Sequence, residues 1–316
     1  MTAVALLAYV LVVGGVGHRL ARRATWLERA PRVGILAWQA LTYSVVLAAA
    51  LAGAALWLPA LPGTESLAHF LNSCVAMVRQ QYATPGGAIA TTAGGVLVVA
   101  VVTRALTALV RRWVRVSRGR AEQRRQLSVL ARSRVARDVV VVEHDRPAAY
   151  CLPGRHSTVV VTSSAVECLT DDELEAVLAH ERAHLRGRHD LVVASSAALA
   201  DAFGFLPLFR CGATEVARLI ELRADDVAQR RTGRLTLARA LVRLAGSAAP
   251  VGALGAGGPD TVRRVRRLVH PVEGIGVLRA TAVLGTGMAL LAFPVAMALL
   301  PAVMAMYATY CPLPMA

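Results

Sequence analysis

Two histidines four residues apart, with a glutamate directly after the first, stand at His180, Glu181 and His184 in the run His-Glu-Arg-Ala-His. On a helix this spacing puts both imidazoles on one face, where they can grip one zinc ion, and sets Glu181 beside a water on that ion. Zinc lowers the pKa of such a water, and a carboxylate there can take its proton and later hand it to a leaving amine. The pattern is that of metal-assisted hydrolysis of a peptide bond, with Glu181 as general base. The plain alternative is a polar helix face carrying two solvated histidines.

A catalytic zinc ordinarily has three protein ligands and one open position, and the sequence offers two acids for the third place. One is local: in His184-Leu-Arg-Gly187-Arg-His-Asp190, Gly187 lets the chain turn and Asp190 returns to the metal. The other is distant: Glu221 and Asp225, in Glu-Leu-Arg-Ala-Asp, lie four residues apart on one face of a second helix expected to start near Thr214. There Glu221 would bind zinc and Asp225 would accept a hydrogen bond from a ligand histidine and fix its tautomer. An isolated acidic pair at this spacing repels itself unless a cation or hydrogen bonds compensate it.

These residues need rigid elements beneath them. Thr170-Asp171-Asp172-Glu173 is a capping box that starts a helix with acids at its positive end, and Leu174, Val177 and Leu178 give that helix an apolar face. Ahead of it, β-branched runs at 138–143, 148–152 and 158–162, with Pro153 and Gly154 as a turn between the last two, predict strands of a small sheet. Arg182 is an unusual charge inside the histidine motif. For an oxyanion stabiliser the sequence offers His189, His270 and several arginines without choosing among them.

In order, Ala148-Ala149-Tyr150-Cys151-Leu152, the strand at 158–162, Asp172-Glu173-Leu174, HERAH and ELRAD resemble the membrane-embedded gluzincin metallopeptidases. Two branches are similar: the BlaR/MecR-type antirepressor peptidases, and the HtpX and CAAX-endopeptidase type. The resemblance is close over 140–230. It implies a zinc cofactor held by His180, His184 and Glu221, with Glu181 as the base and Asp225 behind the ligands, and it makes Asp190 structural. In the BlaR-type receptors a penicillin-binding sensor follows the last membrane helix. The present sequence stops within a few residues of its last apolar run, so the expectation is that any signal enters through the short outer loop or another protein.

Composition sets the rest of the chain in a bilayer. Of 316 residues, 56% are apolar and 17% charged, too few charges for the surface of a soluble domain of this length. All 35 basic residues are arginine, giving a net charge of +15 and excluding lysine-dependent P-loop or Schiff-base chemistry. Apolar runs at 2–17, 33–61, 86–110 and beyond Arg279 predict four membrane helices. The first reads as an uncleaved anchor, because its arginines follow the apolar stretch. Trp38 and Trp57 are placed as interfacial rings, Arg104 as a snorkelling charge, and Pro294 and Pro301 as kinks.

The arginines set the orientation. Residues 18–32 carry five of them against Glu28, and 111–137 carry ten against Glu122, whereas 62–85 carry only Arg79 with Glu65. The positive-inside bias puts both termini outside and the large third region in the cytosol. The basic stretch 111–137 reads as a juxtamembrane face drawn to anionic lipid, with no direct nucleic-acid contact. The 191–209 stretch, with Asp201 its only charge, is expected to lie buried or along the bilayer, since one crossing would part Glu221 from His180. Cys151, Cys168 and Cys211 fall inside; Cys74 and Cys311 fall outside, where they could pair.

The sequence thus predicts an α-helical integral membrane protein with four transmembrane helices and a cytosolic α+β gluzincin zinc-protease domain. Three membrane helices occupy 1–110, the peptidase domain 111–279, and the last membrane helix with a short outer tail 280–316. The expected function is zinc-dependent cleavage of a cytosolic protein, with a winged-helix transcriptional repressor as the substrate suggested by the antirepressor resemblance. HtpX-like quality control of membrane proteins is the alternative within enzymes. A non-catalytic, zinc-stabilised signalling scaffold is the other, although such a site has no need of Glu181. The expected partners are the protein substrate, the lipid bilayer and, in a homo-oligomer, a second copy of the chain.

Overall fold

The computed structural model describes residues 1–57, 84–136, 138–154, 157–246, 259–270 and 273–310. Cys74, Cys311, the outer loop and the glycine-rich stretch after Gly246 lie outside the described residues.

Helices long and apolar enough to cross a bilayer lie at Thr2–Arg23, Pro31–Trp57, Gly86–Leu127 and Val277–Pro301. The first two are α1 and α2; the third belongs to α3, Pro85–Leu130, and the last to α10, Val277–Tyr310. α10 runs through both Pro294 and Pro301. α2 is the hub, packed against α1, α3 and α10. It crosses α3 where both helices are smallest: a Cβ built on Gly53 would sit 2.8 Å from the Gly94 carbonyl oxygen. Such small-residue crossings let helix backbones touch, which supplies dispersion contact in a solvent that gives no hydrophobic drive.

α3 is 46 residues long and unbroken at residue 110. At 1.5 Å per residue it extends about 70 Å, more than twice a hydrocarbon core. Its far end turns straight into strand β1, Ala131–Ala136, where the sequence suggested more basic helix. β2 (Val139–Val142), β3 (Ala149–Leu152) and β4 (Thr158–Thr162) complete one sheet in the order β1-β2-β4-β3, with β2 and β4 parallel and the other pairs antiparallel.

The remaining helices are α4 (Ser163–Cys168), α5 (Asp171–Arg186), α6 (His189–Phe203), α7 (Pro207–Thr232), α8 (Arg234–Gly246) and α9 (Pro259–Val269). Alternation decides which sheet face is covered. Val139, Val159 and Val161 pack with Val177 of α5 and Ala240 and Leu244 of α8, whereas Val140, Val142, Leu152 and Val160 pack with Leu127 of α3.

A second core joins the peptidase helices to the membrane helices: Ile35, Trp38 and Val45 of α2 share one cluster with Leu199 and Phe203 of α6 and Leu208, Phe209 and Leu219 of α7. This corrects two expectations. Trp38 is 3% exposed and is a core ring under Gly212 of α7, not an interfacial one. Arg104 donates to the Ala202 carbonyl oxygen at the C-terminal end of α6, where the helix leaves acceptors unpaired, instead of reaching for headgroups. The 191–209 stretch does not form one spanning helix; α6 stops at Phe203 and α7 begins at Pro207, well before Thr214, with proline in its first turn where the missing N–H costs nothing.

Candidate active site

α5 is fixed at its start. Thr170 Oγ1 accepts from the Glu173 amide while Glu173 Oε2 accepts from the Thr170 amide at 3.1 Å, the capping box the sequence predicts. Glu173 is buried and also faces Arg243 Nε of α8 at 3.2 Å, so the cap is tied to the neighbouring helix. Arg182 is the outward strut of the same helix: its Nε and Nη2 donate to the two carboxylate oxygens of Asp138, at 2.7 and 3.2 Å, where the chain enters β2. The charge inside the histidine motif thus points away from the site and holds α5 to the sheet.

On the opposite side α5 packs along α7, and His180, His184 and Glu221 converge. His180 Nε2 lies 3.1 Å from His184 Nε2 and 3.4 Å from Glu221 Oε2, and His184 Nε2 lies 3.6 Å from Glu221 Oε1. Four ligands at zinc–nitrogen distances would be separated by tetrahedral edges of about 3.3 Å. One donor atom from each residue lies within 4.8 Å of the others, close enough to share one zinc ion, and two nitrogens and a carboxylate oxygen are the donor set of a catalytic zinc. His180 is buried and Glu181 half-buried, and the rings of His180 and His184 meet edge to face.

The acids of α7 govern the charge here. Burial alone would lower the pKa of His180, but the Asp225 and Glu221 carboxylates outweigh it and hold the imidazolium up to about 10. Burial opposes ionisation of Glu221 too, yet the His180 ring, with Arg264 and His184, brings its carboxyl down to about 2. His184 has burial working on it with less compensation and falls to about 4. Asp225 Oδ1 lies 3.1 Å from His180 Nδ1, off the axis of a good hydrogen bond, so the pair is held by charge and proximity. Burial, reinforced by the charge of Glu221, pushes the Glu181 carboxyl above the usual glutamate range, toward what a group that both takes and gives a proton needs. Burial, reinforced by the charge of the neighbouring Glu181, pushes the Cys151 thiol of β3 up to about 12.

The local acid goes elsewhere. Asp190 accepts from Arg120 Nη2 of α3 at 2.9 Å and takes no part in the cluster. The turn at Gly187 and Arg188 instead returns His189, whose Nδ1 is 3.1 Å from His184 Nδ1. Arg188 adopts φ 47°, a left-handed conformation costing an L-residue about 1–2 kcal/mol, and a Cβ on Gly187 would overlap the His189 ring. Gly187 is thus required by the histidine behind the site and not by an acid ligand. His270, at the end of α9, is exposed.

Arg264 of α9 is what the sequence did not single out. Its Nε and Nη2 donate to Asp225 Oδ2 and Oδ1 at 2.8 and 2.7 Å, and its Nη1 lies 3.1 Å from Glu221 Oε2. Thr261, Arg264 and Leu268 are the buried positions of α9, so the available signal was an arginine at a core position of an amphipathic helix.

The sequence model of Peptidase family M48 matches residues 118–272. This segment, just under half of the chain, is similar to the M48 metallopeptidases. It contains every residue of the cluster just described. Curated relatives agree: a "Protease HtpX homolog" of Acidiphilium cryptum is 31% identical over 141 residues, covering 34% of this chain and 49% of the relative. Proteins of the same name from Aquifex aeolicus and Trichormus variabilis are 41% and 38% identical over 71 and 72 residues, covering 22% and 19% of this chain and 23% and 25% of their own lengths. The chain thus spans half or less of the curated relatives it matches. No solved structure matches it. The similarity to M48 peptidases over 118–272 accompanies four helices long and apolar enough to cross a membrane.

Proposed function

We propose that this chain is a membrane-bound endopeptidase whose zinc is held by His180, His184 and Glu221, with Glu181 as general base and Asp225 positioning His180. The observation that carries the reading is the convergence of those three donor atoms beside the half-buried Glu181. Bound zinc would polarise the scissile carbonyl and acidify a water. Glu181, half-buried and raised in pKa, takes the proton of the attacking water and returns it to the departing amine. His184, kept neutral by burial, presents its Nε2 lone pair at pH 7. Arg264 neutralises Glu221 and Asp225, which would otherwise repel each other across one helical turn.

Substrate enters as an extended strand. β4 lies between β2 and β3, whereas β3 is an edge strand and packs against α5. Strand addition to β3 needs backbone hydrogen bonds more than particular side chains, so unfolded segments of many sequences would serve. The arginine distribution supports a cytosolic site with both termini outside. The shared core of α2, α6 and α7 keeps the site at the membrane surface, which favours membrane proteins with unfolded cytosolic segments as substrates. The likeness to antirepressor peptidases in the basic residues and Asp190 that follow the histidine motif supports a second reading, a winged-helix repressor cut in an exposed segment. Comparing proteomes of cells carrying the wild type or Glu181→Gln separates them. Accumulation of full-length membrane proteins in the variant supports the first; a single cytosolic regulator that stays uncut only in the variant replaces it with the second.

A further inference from the structure

A cavity of about 210 Å³ opens among α7, α8, α9 and the turn before α2, and arginines dominate its wall. Arg29, Arg230, Arg234 and Arg267 reach it from four different elements, with Asp226 and Gln229 of α7 between them. Asp226 is already engaged, accepting from Arg267 Nη1 at 2.8 Å and Gln229 Nε2 at 3.1 Å. Arg29, Arg230 and Arg234 have no ion-pair partner among the described residues. Three uncompensated guanidiniums around one concavity repel each other, and an anion relieves that repulsion.

The position of the cavity identifies the anion. Arg29 stands two residues before α2, in the short turn that follows α1, and the cavity also touches Gly274, three residues before α10. Three membrane helices therefore begin or end at its level, where lipid headgroups lie. The turn is held there by the ion pair of Glu28 with Arg218 Nη1 of α7, 2.8 Å apart. No aromatic ring lines the cavity to stack a nucleobase. Guanidiniums bind phosphate oxygens through paired, charge-assisted hydrogen bonds, as they do carboxylates, and at the headgroup level of a bilayer the abundant anion is the phosphate of anionic lipids.

We propose that this cavity is a binding site for the phosphate of an anionic phospholipid headgroup, such as phosphatidylglycerol or cardiolipin. The site bears on the protease centre through two helices. Asp226 follows Asp225 on α7, and Arg267 lies one turn after Arg264 on α9, so the pair Asp226–Arg267 walls the cavity while the adjoining pair Asp225–Arg264 braces the metal ligands. A headgroup gripping Arg267 with the arginines of α7, α8 and the inner turn clamps α9 in the position that places Arg264.

The test uses the full chain in phosphatidylcholine nanodiscs, with phosphatidylglycerol added to the discs or inorganic phosphate added to the buffer, read by thermal unfolding and by native mass spectrometry of retained lipid. Phosphatidylglycerol should raise the unfolding temperature of the wild type and be retained. The variant Arg230→Gln with Arg234→Gln should bind it roughly tenfold or more weakly, as expected for lost charged hydrogen bonds. The variant Arg263→Gln with Arg266→Gln, equal in charge but on α9 residues away from the cavity, should respond like the wild type. Both cavity arginines are exposed, so the first variant should match the wild type in pure phosphatidylcholine; if it does not fold, Arg29→Gln carries the same comparison from outside any long helix. Equal loss in both double variants would overturn the site in favour of general surface charge. A full response to inorganic phosphate without phosphatidylglycerol would overturn the lipid as its source.

Discussion

Arg264 and Asp225 form a bidentate pair in which both residues are at most 7% exposed, with donor–acceptor distances of 2.7 and 2.8 Å. Burial opposes ionisation of Asp225, but Arg264 and His180 together outweigh it and hold its carboxyl well below the usual carboxylate range. A buried charge stripped of its partner costs about 3–5 kcal/mol. Arg264→Leu should therefore lower the stability of the folded chain by that order, while Arg264→Lys, which keeps charge but loses the fork, should lose less. Because Asp225 also faces His180, both should weaken zinc binding by roughly 10–100-fold. Denaturant unfolding and zinc titration in detergent check this; an Arg264→Leu protein within about 0.5 kcal/mol of wild type would sink it.

The turn after the histidine helix makes a second prediction. Asp190→Ala should leave zinc binding intact and cost at most about 1 kcal/mol of stability, because it removes only the half-buried pair with Arg120. Gly187→Ala should disturb the site more, by driving His189 off the His184 ring. Zinc affinity of the two variants, measured side by side, should rank glycine's loss as the greater; the reverse order would return Asp190 to the ligand shell.

For pH, the Asp138–Arg182 pair is the clearest case away from the metal ligands. The hydrogen bond from Arg182 depresses the Asp138 pKa below its ordinary 3.8. A depressed folded pKa means that the stabilisation is present above 3.8 and is lost as the pH falls through the folded value. With Asp138 40% exposed, screening limits the pair to about 1 kcal/mol. Asp138→Asn should be less stable than wild type at pH 7, and the gap should narrow as the pH drops below 4. A gap that widens with acid contradicts the assignment.

Much of this site was legible in the residues because it depends on local periodicity. Four-residue spacing at His180/His184 and at Glu221/Asp225, and the Thr170–Glu173 box, are read within one helix each, and the structure has all three. What was hidden depends on how separate segments meet. Nothing near Asp190 reveals that Arg120, seventy residues away, would take it, nor that β3 would pass β4 to the sheet edge. Trp38 read as interfacial because hydropathy cannot distinguish a lipid-facing ring from one covered by α7. Arg264 was lost among many arginines because its partner lies 39 residues away.

Orientation is open to a direct check. Reporter fusions at Arg120 and Ala240 should both report the cytosol, with fusions after Gly63 and at the C-terminus reporting the exterior. An exterior signal at Ala240 with a cytosolic one at Arg120 would place α6 across the membrane and separate Glu221 from His180.

The central claim is that His180, His184 and Glu221 hold one zinc ion and that Glu181 works on it without holding it. Metal content and peptide-cleaving activity of the purified full-length chain, measured together in Glu181→Gln, His184→Ala and Glu221→Ala, test it most directly. Glu181→Gln should retain one zinc per chain and lose activity by roughly 100-fold or more, the usual contribution of a general base. His184→Ala and Glu221→Ala should lose both metal and activity. A Glu181→Gln protein that still cleaves, or a Glu221→Ala protein that keeps its zinc, would contradict the account.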